Sequence, residues 1–257
     1  MVRKEREDSN MKSEYNENVI EGRNLVFEAF ESNITIEKLL VVKGDQKGSI
    51  NKILGIARER LIPIIEVDKR KLDDISEGRN HQGVVAYVTP YKYRTVEDLL
   101  EVAKSKNEAP FLIILDEIED PHNLGSIIRT AEGLGAHGIV IPKRRSASVN
   151  ATVYRTSAGS VNYIGVAKVT NISREIEELK KENIFVYGLD MDGKSKSYDV
   201  DFSGGVALVI GNEGSGLTRL VKERCDDIVN IPMNGRINSL NASVAAGILM
   251  YEVSKNR

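Results

Sequence analysis

Apolar positions recur along this chain in two rhythms. Val26, Phe27 and Phe30 share one helical face within residues 24–30, and Ile53, Leu54 and Ala57 do so within 50–59. Around them lie short unbroken apolar runs at 38–42 (ending at Gly44), 62–67 and 83–88. Short apolar runs bounded by turn residues read as strands. Their alternation with helices predicts a small α/β module over residues 18–88, with at least partly parallel strands. A longer series begins at Phe111. Runs at 111–115, 138–141, 164–169, 184–187, 206–210 and 228–231 predict strands, helices separate most of them, and a last helix spans about 239–253. Continuous apolar strands alternating with helices predict a parallel sheet buried on both faces, in an α/β domain over residues 110–257. Residues 89–109 are rich in charge and bracketed by Pro90 and Pro110. They read as a linker whose one amphipathic stretch, 96–103, packs on the second domain. Residues 1–17 are polar and read as a disordered tail. Arg3, Lys4 and Arg6 leave a weak RNA-contacting arm open as an alternative. There is no internal repeat.

Composition narrows the class. With 257 residues, 41% of them hydrophobic, and a formal net charge of −2, the chain has ample material for a core and no global signature of nucleic-acid binding. Any polyanion must meet a local basic surface. The single cysteine, Cys225, excludes an internal disulfide and fits a reducing compartment. One cysteine and the three histidines His81, His122 and His137 do not form a zinc-binding pattern. No apolar h-region follows the charged N-terminus, and no run of about 18 apolar residues occurs, so the expectation is a cytoplasmic protein without a membrane span.

Three stretches carry candidate chemistry. In the first, a strand passes through Pro121 into a helix with Asn123 at its expected N-cap and Arg129 about one and a half turns on. Both could meet at the carboxyl ends of the strands, where α/β sheets bind ligands; a plain cap and a surface arginine are the alternative. In the second, an apolar strand runs into Gly211-Asn-Glu-Gly-Ser-Gly216. Glycines there allow close backbone approach to a ligand. The spacing is neither a dinucleotide fingerprint nor a Walker loop. Glu213 could orient an arginine, or simply favour a helix N-terminus. In the third, a strand ends at Ile231 and a polar loop leads to a helix capped by Asn238 or Ser239, whose Ala242, Ala245, Ala246 and Gly247 permit close packing.

Together these stretches resemble the SpoU family of RNA ribose methyltransferases, of the SPOUT superfamily. The family pattern N-x-G-x-x-x-R-x-A is similar to Asn123-Leu-Gly-Ser-Ile-Ile-Arg-Thr-Ala131. Its second motif resembles Gly211–Gly216, and its third resembles Ile231-Pro-Met together with Asn238-Ser-Leu-Asn-Ala-Ser243. The motifs occur in family order over residues 111–257. The first module looks like the substrate-binding domain of two-domain members, a small fold similar to ribosomal RNA-binding proteins, on Glu21–Ala29 and Gly78–Ala86. Pro142-Lys-Arg-Arg-Ser146 and Arg155-Thr-Ser-Ala-Gly-Ser160 resemble the 23S rRNA guanosine-2′-O-methyltransferase group.

The resemblance implies S-adenosylmethionine without a metal, a deep trefoil knot in the C-terminal domain, a homodimer through that domain, and 23S rRNA as partner. It implies a cofactor pocket of Leu189, Gly211, Ile231, Met233, Ser239 and Leu240. It implicates Asn123, Arg129, Glu213, Ser239 and Asn241 in catalysis. Arg129, which keeps its proton, is expected to clamp a phosphate and stabilise the developing alkoxide. Glu213 is expected to orient Arg129, with Asn123 holding Arg129 or the ribose. Lys143, Arg144, Arg145 and Arg155, with Arg23, Arg79 and His81 as weaker candidates and Arg236 in a loop, are expected to contact RNA. The alternatives are a tRNA or other rRNA target, a non-catalytic RNA-binding or ribosome-assembly protein, and a nucleotide-binding oxidoreductase. The missing fingerprint disfavours the last.

Overall fold

The computed structural model describes residues 19–257 except 32–33, 45–47, 77, 79, 236–238 and 256. The expected N-terminal tail, Arg79, Arg236 and Asn238 lie outside the described residues. The described chain divides into two compact units between Tyr91 and Lys92.

The first unit runs β1 (Val19–Glu21), α1 (Arg23–Glu31), β2 (Ile36–Val42), α2 (Ile50–Glu59), β3 (Ile64–Val67), α3 (Lys69–Ile75) and β4 (Val84–Val88). Its sheet has the order β1-β4-β2-β3; only β2 and β3 run parallel, and the other pairs are antiparallel. Val84, Val85 and Ala86 are fully buried in β4. His81, a candidate RNA contact, is instead a buried fastener. Its Nδ1 accepts from the Gly83 amide at 3.0 Å and its Nε2 faces Asp73 Oδ1 at 3.0 Å, which ties α3 to the turn before β4.

The second unit runs α4 (Val96–Ser105), β5 (Phe111–Asp116), α5 (Pro121–Gly133), β6 (Gly138–Pro142), α6 (Ala151–Thr156), β7 (Gly165–Val169), α7 (Ile172–Lys181), β8 (Ile184–Leu189), β9 (Ser195–Lys196), β10 (Gly205–Gly211), α8 (Arg219–Arg224), β11 (Asp227–Asn230) and α9 (Ala242–Ser254). Seven strands pair in parallel in the order β7-β6-β5-β10-β8-β11-β9. Every residue of β5 is buried, as a central strand covered on both faces requires.

The helix in the segment read as a linker is α4, which lies within the second unit and packs on its sheet. Thr95 Oγ1 accepts from the Asp98 amide at 3.1 Å, and Asp98 Oδ2 accepts from the Thr95 amide at 2.9 Å, a reciprocal capping box. Leu99 of α4 then packs on β6 and β7 where glycine leaves room. A Cβ at Gly138 or Gly165 would come within 2.5–2.6 Å of the Leu99 side chain. Among the described residues no helix is long and apolar enough to cross a membrane.

His137, buried ahead of β6, fixes the start of β5. Its Nδ1 accepts from the Phe111 amide at 2.9 Å, so Nε2 carries the proton and donates to Glu108 Oε2 at 3.0 Å. Burial holds the imidazole below its ordinary pKa, against the opposing pull of Glu108. The folded chain therefore keeps this ring neutral where the unfolded chain takes up a proton near pH ~6.5. Its contribution is complete above that pH and is lost as pH falls below it. Unfolding free energies from urea titrations between pH 7.5 and 5.5 are expected to fall more steeply for the native chain than for His137→Gln, by at most about 1.4 kcal/mol per pH unit.

Candidate active site

The three chemical stretches converge at the carboxyl ends of β5, β10 and β11. Gly211 at the end of β10 lies in register with Asp116 at the end of β5. The first helix begins earlier than the sequence suggested. Asp120, not Asn123, is the N-cap, its Oδ1 accepting from the His122 amide at 2.8 Å, and Pro121 occupies the first helical turn. Proline suits that position because its φ is helical and it lacks the amide that would go unpaired. Asn123 is thereby displaced one turn inward, where it is buried and its side chain is free of capping duty.

Asn123 uses both ends of its amide. Its Nδ2 donates to Glu213 Oε1 at 2.9 Å, and its Oδ1 accepts from Asn241 Nδ2 at 2.9 Å. Asn241 Nδ2 also donates to Glu213 Oε1, and the Ala242 amide donates to the same oxygen at 3.2 Å. Asn241, rather than Asn238 or Ser239, caps α9: its Oδ1 accepts from the amides of Ser243 and Val244 at 3.0 and 3.3 Å. One side chain therefore ends a helix with its oxygen and joins the carboxylate with its nitrogen.

The expectation that Glu213 orients Arg129 is corrected by this arrangement. The Glu213 carboxylate is engaged by Asn123, Asn241 and the start of α9. Arg129 lies six residues beyond Asn123, about 120° around the helix, and is exposed.

The glycine-rich turn is stitched to the β5–α5 corner. Asn212 and Gly216 exchange backbone hydrogen bonds at 3.1 and 2.8 Å, and Asn212 Oδ1 accepts from the Gly214 amide at 2.9 Å. Asn212 Nδ2 donates to the Glu117 carbonyl at 3.0 Å, and the Thr218 amide donates to Asp116 Oδ2 at 2.7 Å. Burial pushes the Asp116 carboxyl above its ordinary range, despite the Thr218 hydrogen bond. A Cβ at Gly211 would fall on the backbone of Gly216 and Leu217, so only glycine closes this turn. Asp116 and Asn212 were not singled out from sequence, because no spacing marks a carboxylate that serves an amide 102 residues away.

Leu189, Gly211, Ile231, Met233, Ser239 and Leu240 all line one cavity of about 350 Å³, which Glu213 also borders. Three further charged residues on its wall escaped sequence reading. Lys222 Nζ lies 3.0 Å from Asp190 Oδ1 and 3.4 Å from Asp192 Oδ2. The Asp190 amide donates to the Val229 carbonyl at 3.0 Å, which sets the end of β8 beside β11, and Lys222 reaches both carboxylates from α8.

The lining suits an adenosyl sulfonium compound: Ile210, Ile231, Leu240 and Ala245 offer an apolar wall for a flat base, and the charged wall suits an amino-acid head. Close backbone packing at Gly211 keeps side chains out of the turn. Among the described residues no group of three His, Cys, Asp or Glu side chains converges as a metal site requires. Cys225 is half-buried with its thiol pushed up to about 12 by burial, and its Sγ lies 3.3 Å from the Val221 carbonyl.

Lys143 and Arg144 are exposed in the loop after β6, and Arg155 is exposed on α6. Arg145, at φ +54°, donates from Nη1 to Glu117 Oε1 at 3.0 Å. Arg23 donates from Nε to the Gln82 carbonyl at 2.9 Å within the first unit. Lys168 braces the 143–150 loop, with Nζ 3.1 Å from Ser148 Oγ and 4.5 Å from the Tyr93 ring centre.

The fold and the family matches together place this chain among the RNA methyltransferases that use S-adenosylmethionine. Residues 110–251 match the SpoU rRNA Methylase family, and residues 19–94 match the RNA 2′-O ribose methyltransferase substrate-binding family. The chain belongs to the SpoU rRNA methylase family. It is 48% identical over 236 residues to a Bacillus subtilis (strain 168) protein named for the TrmH family of tRNA/rRNA methyltransferases, covering 92% of this chain and 94% of that one. Its structure is similar to the SpoU methyltransferase AviRb from Streptomyces viridochromogenes in complex with S-adenosylmethionine, with a TM-score of 0.67, 27% identity, and coverage of 92% of this chain and 89% of the other. It is also similar to an S-adenosylmethionine-bound rRNA methyltransferase from Sinorhizobium meliloti, with a TM-score of 0.71, 25% identity, and coverage of 96% and 90%.

Replacing Asn241 by alanine removes both a helix cap and a partner of buried Asn123. Each loss is worth about 1 kcal/mol or more. Urea unfolding of Asn241→Ala is expected to show a loss of about 2 kcal/mol. A loss under about 0.5 kcal/mol would mean that this hydrogen-bonded cluster does not hold the site together.

Proposed function

We propose that this protein transfers the methyl group of S-adenosylmethionine to the ribose 2′-hydroxyl of a guanosine in 23S rRNA. The observation that carries the reading is the Asn123–Glu213–Asn241 cluster at the wall of the cavity, where three segments distant in sequence meet. The guanosine and the 23S target rest on the resemblance of residues 142–146 and 155–160 to that group of enzymes.

A sulfonium compound supplies an already electrophilic methyl group. What the chain must provide is position, and relief for the charge that develops on the hydroxyl oxygen as its proton leaves. Asn123 and Asn241 fix the Glu213 carboxylate, and with Ser239 they form the polar edge against which the ribose is set. Arg129, exposed on the outward side of α5, is accessible to the phosphate next to the target. Its guanidinium is a fixed cation that clamps this phosphate and stabilises the developing alkoxide. Exposed Lys143, Arg144 and Arg155 add phosphate contacts, while Arg145 must first leave Glu117 to do so. In this reading the protein is cytoplasmic, its C-terminal path is knotted, and it acts as a homodimer through the second unit. Val244, Ile248 and Tyr251, exposed on one side of α9, supply an apolar face for that dimer.

The test is transfer of tritiated methyl from S-adenosylmethionine to unmodified large-subunit rRNA, with tRNA in parallel, followed by mass spectrometry of the nucleosides. The expected product is 2′-O-methylguanosine from rRNA alone. Label in tRNA alone would overturn the rRNA target, and no label in either, with cofactor still bound, would favour a non-catalytic RNA-binding role. In the same assay Arg129→Ala is expected to lose at least about 100-fold in turnover, with cofactor affinity within about twofold of the native chain. Turnover near the native value would remove Arg129 from its assigned role.

A further inference from the structure

The charged side chains around the cavity are unequal in sign. Among its described lining residues they are Asp190, Asp192 and Glu213 against Lys222. Asp190 and Lys222 are the inner pair, 3.0 Å apart, with side chains 14% and 31% exposed. Burial acts to lower the Lys222 pKa, but Asp190 and Asp192 raise it and prevail, so the ammonium remains charged. Glu213 is held at Oε1 by neutral N–H groups, which satisfy the oxygen without cancelling its charge. Among the described lining residues, then, one ammonium stands against three carboxylates, two of which it contacts.

The acidic turn is also rigidly placed. Asp190 Oδ1 accepts from the Asp192 amide at 3.1 Å, and the Gly193 amide donates to the Asp190 carbonyl at 3.2 Å. A Cβ at Gly193 would lie 2.6–2.8 Å from the backbone of residues 228–230, so the turn is pressed onto β11.

The methyl donor and its demethylated product differ little in shape and by a full charge. The sulfonium gives the donor one net positive charge, and the thioether product has none. Shape complementarity distinguishes them by one methyl group, whereas a fixed local field distinguishes them by charge. We infer that the negative excess of this wall, set by Asp190 and Asp192 against Lys222, makes the site prefer the cationic donor to its neutral product, so that methyl transfer itself loosens what remains bound. The inference rests on the cavity being the cofactor site. It gives Asp192 and Lys222 opposite effects on ligand choice, which a merely structural role would not.

Calorimetric affinities of the full-length protein at pH 8 for S-adenosylmethionine, S-adenosylhomocysteine and sinefungin, whose protonated amine replaces the sulfonium, test this. Asp192 is 82% exposed, so Asp192→Asn leaves the fold intact while removing one charge. It is expected to narrow the donor-to-product affinity ratio about threefold, and Lys222→Gln to widen it by a similar factor. Sinefungin is expected to follow the donor, and both shifts to shrink in high salt. Binding by the native chain with a ratio that neither variant changes, or with all three ligands shifted alike, would overturn the discrimination. Failure of the native chain to bind any of the three would instead overturn the cofactor site on which it rests.

Discussion

A single carboxylate oxygen organises the second unit. Glu213 Oε1 receives hydrogen bonds from Asn123 on α5, from Asn241 and from the first amide of α9. The two asparagines are themselves joined across 118 residues of sequence. A carboxylate so placed gathers donors that would otherwise have to be satisfied separately, and charge-assisted bonds of this kind are stronger than neutral ones. Without it, Asn123 would be a buried amide short of a partner, and the turn after β10 would have no reason to face the start of α9.

The cavity follows from that meeting. The turn carrying Glu213 is closed by glycine at 211, where any side chain would strike the backbone of Gly216 and Leu217, and is moored to the end of β5 through Asn212 and Asp116. Once the turn and α9 are joined, the residues after β11 and the end of β8 complete the wall. The catalytic candidates and the cofactor-lining candidates are thus two sides of the same loop system. Their shared residue, Ser239, lies in the segment between β11 and the Asn241 cap.

Most of the sheet was legible in the sequence, because strands such as β5 and β10 are covered on both faces and therefore read as continuous apolar runs. The short elements were not. β1 has three residues, β9 has two, and α3 buries only Leu72, so none repeats long enough to show a period. The helix starts were misplaced for a local reason. Asn123 and Asn238 or Ser239 look like caps, but Pro121 moves one cap to Asp120, and Asn241 takes the other. The candidate site was legible by motif for Asn123, Glu213 and Asn241, which the fold brings together, but not for their mutual contacts. Arg129 stands apart from Glu213 because six residues turn a side chain away from its starting face. Asp190, Asp192 and Lys222 were not read from sequence, since only the fold brings Lys222 on α8 to the turn after β8.

The most direct measurement is a crystal structure of the full-length protein with S-adenosylmethionine. Cofactor density should fill the cavity against Gly211, Ile231 and Leu240, with Glu213 still held by Asn123 and Asn241. Density for the cofactor elsewhere, or a Glu213 side chain turned away from both asparagines while the cofactor is bound, would contradict the organisation described above.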